Sequence, residues 1–326
     1  MPALPSLDLP IEPLLPELTG ALAEHPTAVL QAPPGSGKTT LVPLALLDQP
    51  WLDGQRIIML EPRRLAARAA ANRMAELLGE SVGESVGYQV RFERKISRRT
   101  RIEVVTEGIL NRRLQDDPEL AGVGLVIFDE FHERHLDGDL GLALCLDVQD
   151  ALRDDLRLLL MSATLDLKAI ATHLDNPPVL TGEGRSFPVE VQHVPRDSDQ
   201  RPAHQVSQAV LNALNTHAKG DVLAFLPGGG DIRRAAELLD AKLPPEVQIH
   251  PLYGDLPRAA QDAAIRTAAN ARKVVLATPI AESSLTIRGV RIVVDSGLMK
   301  TPRFDPNTGL TRLTTTRISR ASAEQR

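Results

Sequence analysis

The chain has 326 residues, 43% of them hydrophobic and 24% charged, with a formal net charge of -5. That length exceeds one ordinary core and fits about two domains of roughly 150 residues each, while the acidic balance excludes a globally basic nucleic-acid coat but allows a local cationic groove. Cys145 is the single cysteine, which excludes an internal disulfide; with no charged-then-apolar leader and no run of about 18 apolar residues, a reducing cytoplasm and no membrane span are expected.

Pro2 to Pro16 is proline-rich, and residues 1–13 read as a loose leader. Short apolar runs follow at Ala28 to Gln31, Ile57 to Glu61, Ile102 to Thr106, Leu125 to Asp129 and Leu156 to Met161, each leading through a polar loop into a helix-like stretch. Near-continuous apolar runs alternating with helices predict buried parallel strands in a doubly wound α/β domain. Between Asn176 and Pro188 the rhythm breaks on Pro177, Pro178, Gly182, Gly184 and Pro188, which places a domain boundary there. A second series repeats the architecture: strands are expected at Val189 to Val194, Val222 to Leu226, Ile249 to Leu252, Lys273 to Ala277 and Val290 to Val294, with a helix over Asp231 to Lys242.

The first strand runs into Gln31-Ala32-Pro33-Pro34-Gly35-Ser36-Gly37-Lys38-Thr39-Thr40 and then an apolar helix. Strand, glycine loop and helix start together form an anion cradle, because successive N–H groups and the helix dipole face the phosphate. Pro34 to Thr40 is therefore the candidate ATP-binding segment: Lys38 for the β and γ phosphates, Thr39 for Mg²⁺, and Gly35 and Gly37 for close backbone approach. Ala32 stands where the usual pattern begins with glycine, and it is still small.

Leu125-Val126-Ile127-Phe128 runs directly into Asp129-Glu130-Phe131-His132-Glu133. Carboxylates at the carboxyl end of a buried strand lie where open α/β sheets bind ligands. Asp129 is the candidate Mg²⁺ residue and Glu130 the candidate base for the water that attacks the γ-phosphate. His132 reads either as a surface histidine or as a reporter of nucleotide state. Arg63 and Arg64 follow a strand and open a helix, from which they either grip a nucleic-acid phosphate or form a solvated pair. Thr106 and Gly108 offer a hydroxyl and bare backbone at another strand end, and Ser162 and Thr164 close the fifth strand. The basic stretch from Arg91 to Arg101 is either an extended nucleic-acid path or a solvated face, with Phe92 as its only aromatic.

Taken in order, these blocks resemble the bacterial HrpB-type ATP-dependent helicases of the DEAH-box group, superfamily 2, from about Leu14 onward. The carrying residues are the phosphate loop, Glu61-Pro62-Arg63-Arg64-Leu65-Ala66-Ala67, Thr106-Glu107-Gly108, Asp129-Glu130-Phe131-His132-Glu133-Arg134 and Ser162-Ala163-Thr164. In the second half they are Phe225-Leu226-Pro227-Gly228, Thr278 to Ile287, Val294-Asp295 and Arg303-Phe304-Asp305-Pro306. The resemblance implies two tandem RecA-like domains, each a mainly parallel sheet flanked by helices, over residues 14–182 and 183–326. It implies ATP and Mg²⁺ as ligands and single-stranded nucleic acid, RNA in the first instance, as partner. It assigns nucleic-acid contact to Arg63, Arg64, Thr106, Gly108, Thr278, Ser283 and Ser284, coupling of hydrolysis to movement to Ser162 and Thr164, and base stacking to Arg73. Pro279 stands where the resembled block carries Asn, removing a backbone donor and an amide.

At the other end, Arg320 to Arg326 resembles the start of a Gln-Arg-x-Gly-Arg-x-Gly-Arg block, of which Gln325 and Arg326 are present. The resemblance makes Gln325 an ATP contact and Arg326 a catalytic arginine that neutralises charge on the transferring phosphate. A second domain that is C-terminally incomplete, in a fragment of a longer protein, is the matching expectation. The competing expectations are a nucleotide- and RNA-binding module with little turnover, or a nucleotide hydrolase that moves something other than nucleic acid.

Overall fold

The computed structural model describes residues 7–163, 174, 176–184, 188–195, 197, 199–266, 271–282 and 287–326. Two units divide the chain, Met1–Pro188 and Val189–Arg326.

In the first unit the elements run α1 (Leu15–Glu24), β1 (Thr27–Gln31), α2 (Lys38–Leu46), β2 (Arg56–Glu61), α3 (Arg64–Leu77), β3 (Val86–Val90), β4 (Glu93–Lys95), β5 (Ile102–Thr106), α4 (Glu107–Asp116), β6 (Val123–Phe128), α5 (Leu136–Ala151), β7 (Arg157–Ser162) and β8 (Val179–Thr181). They build one eight-stranded sheet in the order β4-β3-β5-β2-β6-β7-β1-β8. Every described pairing is parallel except β3 with β4.

Side chains alternate across a strand, and here both faces are apolar because helices cover both. Leu125 and Ile127 of β6 face the core built with Leu18, Leu22, Leu41, Leu44, Ala67 and Met74 of α1, α2 and α3. Val126 and Phe128 face the opposite core with Leu110 and Leu114 of α4 and Leu142, Cys145 and Val148 of α5. Burial on two sides is why all six residues of β6 are buried and read as an unbroken apolar run.

The second unit contains α6 (Pro202–Thr216), β9 (Asp221–Phe225), α7 (Gly229–Asp240), β10 (Val247–Leu252), α8 (Arg258–Ile265), β11 (Arg272–Ala277), β12 (Val290–Asp295), β13 (Leu298–Asp305), β14 (Leu310–Arg317) and α9 (Arg320–Gln325). Its parallel sheet has the order β10-β11-β9-β12, and β13 and β14 form a separate antiparallel hairpin. Val222, Ala224, Val274 and Leu276 pack with Val206 and Val210 of α6 and Ile232, Ala235 and Leu239 of α7. Two tandem, mainly parallel α/β units agree with the RecA-like expectation.

Some expectations differ from the structure. Val189 to Val194 is not a strand: Val189, Val191 and Val194 are 81%, 69% and 78% exposed, and no described strand pairs with the segment, so its apolar positions have no sheet face to join. The proline- and glycine-rich stretch before it contributes β8, which pairs Val179–Thr181 with Val29–Gln31 at the sheet edge. The hairpins β3–β4 and β13–β14 had no counterpart among the expected strands. Among the described residues no helix is long and apolar enough to cross a membrane.

Candidate active site

β1, α2 and β6 bring the phosphate loop and the acidic pair to the same carboxyl edge of the first sheet. The loop starts anchored, with the Ala32 N–H donating to Ser162 O at 3.0 Å, so the end of β7 holds the exit of β1. Gly35 (φ +75°) and Gly37 (φ +98°) take left-handed backbone that a side chain would strain, and Gly37 caps α2. The loop therefore narrows into the α2 N-terminus, where free N–H groups and the helix dipole favour an anion. Pro34 and Gly35 are exposed, whereas Ser36 is 1% exposed and its Oγ has no hydrogen-bond partner among the described residues. Thr40 donates back to Gly37 O at 3.4 Å.

Across from the loop, β6 ends in Phe128 and the Asp129 N–H donates to Leu60 O at 3.1 Å, which continues the β2 ladder one residue further. Glu130 turns the chain sharply at φ +51° and donates its own N–H to Asp129 Oδ1 at 2.8 Å. The turn delivers both carboxylates to the loop. Lys38 Nζ lies 3.0 Å from Glu130 Oε1 and 3.9 Å from Asp129 Oδ1, and Thr39 Oγ1 donates to Asp129 Oδ2 at 2.6 Å. All three charged residues are buried, at 3% (Lys38), 4% (Asp129) and 5% (Glu130) exposure.

One buried ammonium thus faces two buried carboxylates. Burial pushes the Asp129 carboxyl up to about 6, opposed by Lys38 and reinforced by Glu130. For Lys38, desolvation works against the charged form, but Asp129 and Glu130 outweigh it and hold the ammonium above its ordinary range. Negative charge in excess beside a hydroxyl, Thr39 with Asp129, is an oxygen donor set suited to a hard divalent cation such as Mg²⁺. The orphaned Ser36 Oγ and the N–H groups of the loop suit a phosphate.

The remaining expected residues fall in three places. Near the box, His132 Nδ1 lies 3.4 Å from Glu130 Oε2 and 3.4 Å from the Ala163 N–H, linking the candidate base to the end of β7 where Ser162 is fully buried. Thr164 lies outside the described residues. Along the same sheet edge, half-buried Arg63 donates to Glu133 Oε2 at 3.2 Å, Arg64 is exposed, Thr106 caps α4 and Gly108 is exposed in its first turn. Arg73 projects from α3 and pairs with Glu76 at 2.6 Å.

In the second unit, Thr278 precedes a 3-10 turn, Pro279–Ala281, and donates its N–H to Leu252 O at 3.1 Å; Ser283 and Ser284 lie outside the described residues. Gln325 is half-buried in α9. The Arg326 side chain, 1% exposed, is caged inside this unit: it donates to Glu282 Oε2 at 2.9 and 3.0 Å and to Asp295 Oδ1 at 2.7 Å, with its guanidinium 4.6 Å from the Phe225 ring centre. A phosphate contact by Arg326 would require that cage to open. Glu282 and Asp295 were given no role from sequence, since partners 44 and 31 residues away from Arg326 leave no local signal. Glu107, Glu133 and His135 were likewise given none, yet His135 lies 3.4 Å from Glu107 Oε2 and 3.3 Å from Glu133 Oε2.

A phosphate loop facing an acidic pair at the carboxyl edge of a parallel sheet, with a second parallel-sheet unit in tandem, defines an α/β protein of the P-loop class. The comparisons narrow it. The family described as DEAD/DEAH box helicase matches residues 16–172, and the Helicase conserved C-terminal domain matches residues 205–325. The chain is 53% identical over 319 residues to the ATP-dependent RNA helicase HrpB of Escherichia coli (strain K12), covering 98% of this chain and 39% of that protein. It is 38% identical over 329 residues to the pre-mRNA-splicing factor ATP-dependent RNA helicase prp22 of Schizosaccharomyces pombe, covering 98% of this chain and 28% of that one. The crystal structure of the Escherichia coli DEAH/RHA helicase HrpB superposes with a TM-score of 0.91 at 52% identity, covering 98% of this chain and 41% of that chain. The chain belongs to the DEAD/DEAH-box helicase family, on the HrpB side of it, and spans well under half the length of these relatives.

Proposed function

We propose that the chain is the ATP-hydrolysing motor portion of a nucleic-acid helicase acting on RNA, with an ATP-binding domain over residues 14–182 and a helicase C-terminal domain over residues 183–326. The observation that carries this reading is the convergence of Lys38 and Thr39 with Asp129 and Glu130, which come from loops about 90 residues apart and meet within 4 Å. The relatives whose names give ATP and RNA as their chemistry support it.

Lys38 Nζ donates to Glu130 Oε1 at 3.0 Å. A triphosphate in the loop offers Lys38 a stronger anionic partner, which releases the Glu130 carboxylate to orient and deprotonate the attacking water. Thr39 and Asp129 would hold Mg²⁺, which supplies Lewis-acid neutralisation of phosphate charge when bound. His132 touches both Glu130 and the end of β7, so it is the group through which a change at the base reaches the Ser162 segment. Arg63, Arg64, Thr106 and Gly108 present cations, a hydroxyl and open backbone along the same edge, suited to the sugar-phosphate chain of a single strand rather than to base edges. Translocation then follows from nucleotide-dependent grip on that strand by the tandem domains.

Single-turnover ATP hydrolysis with and without single-stranded RNA tests the reading. Lys38→Ala should abolish ATP binding. Glu130→Gln should bind ATP and hydrolyse it at least about 100-fold more slowly, the usual worth of a positioned base. Equal loss of binding in both variants would refute the role assignment, and parent protein that binds ATP and RNA without turnover would instead favour a binding module.

A further inference from the structure

His135 is the residue before α5, and both of its ring nitrogens face carboxylates. Nδ1 lies 3.4 Å from Glu107 Oε2, at the start of α4, and Nε2 lies 3.3 Å from Glu133 Oε2, in the turn that follows the acidic pair. A neutral imidazole has one N–H and one lone pair, so it can satisfy one of these carboxylates and must turn a lone pair on the other. Only the imidazolium donates on both sides. The charged groups facing the ring are Glu107, Glu133 and Arg63. The hydrogen bond to Glu107 raises the His135 pKa above its ordinary value, ahead of desolvation and Arg63, which lower it.

The Glu133 oxygen that faces His135 is the one that holds Arg63, at 3.2 Å. One protonated ring therefore ties together three segments: the acidic box through Glu133, the start of α3 through the shared Glu133–Arg63 pair, and the Thr106–Glu107–Gly108 segment through Glu107. Close packing reinforces the junction, since a Cβ placed on Gly138 in the first turn of α5 would lie 2.8 Å from Glu107 Oε1.

We propose that protonated His135 is a positioning residue that locks the Thr106–Glu107–Gly108 segment to the acidic box, and that stimulation of ATP turnover by RNA depends on this proton. The proposal rests on the helicase reading above. Its sign follows from the geometry: the link is complete while the imidazolium persists and is lost as pH rises through the folded pKa, because one of the two carboxylates then faces a ring lone pair in place of an N–H.

The test measures the ratio of RNA-stimulated to basal ATP turnover on the full chain at saturating poly(U), from pH 6 to pH 9 in roughly half-unit steps. In the parent the ratio should fall as pH rises above the ordinary histidine range. His135→Gln, which cannot bridge two carboxylates as a cation, should show a ratio about fivefold lower at the acid end, on the order of one partly exposed charge-assisted bond, with basal turnover unchanged and no slope. His135→Arg, a permanent two-sided donor, should keep the ratio high and flat with pH. A His135→Gln variant that keeps the parental ratio and slope would overturn the proposal, as would a His135→Arg variant that falls with pH as the parent does.

A second readout separates this idea from the function it rests on. In a histidine NMR titration of the chain, the signal that vanishes in both variants should titrate above the ordinary histidine value. Titration at or below that value would refute the double bridge. Absence of RNA stimulation at every pH in the parent would refute the helicase reading and with it the coupling claim, whatever the NMR shows.

Discussion

Replacing Lys38 by Met keeps the length of the side chain and removes its charge, leaving two buried carboxylates with no ammonium between them. Breaking a buried ion pair by removing one partner costs about 3–5 kcal/mol. Here Thr39 Oγ1 and the Glu130 N–H still satisfy Asp129, so the lower end, about 3 kcal/mol, is the expected loss. Glu130→Gln has the opposite character: the amide oxygen can still accept from Lys38, Asp129 remains 3.9 Å from Nζ, and the excess negative charge disappears. Its expected change is within about 1 kcal/mol of the parent. Urea unfolding at pH 8 in EDTA without nucleotide, followed by the fluorescence of the single Trp51 in the first unit, measures both. If Glu130→Gln proved the more destabilising, or if Lys38→Met left the midpoint unmoved, the picture of one cation restraining two acids would be wrong.

At the opposite edge of the same sheet, Arg153 donates to Asp155 at 2.6 Å and to the backbone oxygens of Glu119 and Val123 at 2.9 and 3.1 Å. The Arg153 hydrogen bonds hold the Asp155 carboxyl down at about 2, so its stabilisation is present above the usual carboxylate range and lost as pH falls toward 2. Asp155 is half exposed, so Asp155→Asn should cost less than about 1 kcal/mol at neutral pH and flatten the acid limb of a stability–pH curve. Gly87→Ala in β3 should destabilise the first unit by about 2 kcal/mol in the same urea assay, because a Cβ there collides with the Lys95 carbonyl oxygen and lies 2.8 Å from Ile96 Cγ2. Arg326→Ala removes the shared cation from the half-buried Glu282 and the more exposed Asp295, and hydrogen exchange of β9 and β12 amides should accelerate by roughly 10- to 100-fold, on the order of 1.5–3 kcal/mol.

The parts of this protein that the sequence determined are those whose physics is local. Ala28 to Gln31 and Leu125 to Phe128 had to be strands buried on both faces, because helices of the same unit cover both sides, and their apolar runs carry that directly. Gly35 and Gly37 before Lys38 announce a backbone that only glycine adopts without strain, and the acids after Phe128 announce a charged strand end. Val189 to Val194 shows the limit: its alternation resembles a strand, but no described neighbour pairs with it.

Tertiary structure alone decided which strand ends meet. β7 lies between β6 and β1, so the loop and the acidic pair stand only two strand spacings apart, about 10 Å in backbone, and Lys38 crosses that gap to Glu130. Nothing in the order of residues along the chain fixes that neighbourhood. The same holds for His135 with Glu107 and for Arg326 between Glu282 and Asp295, where charges remote in sequence pair only because the fold brings their elements together.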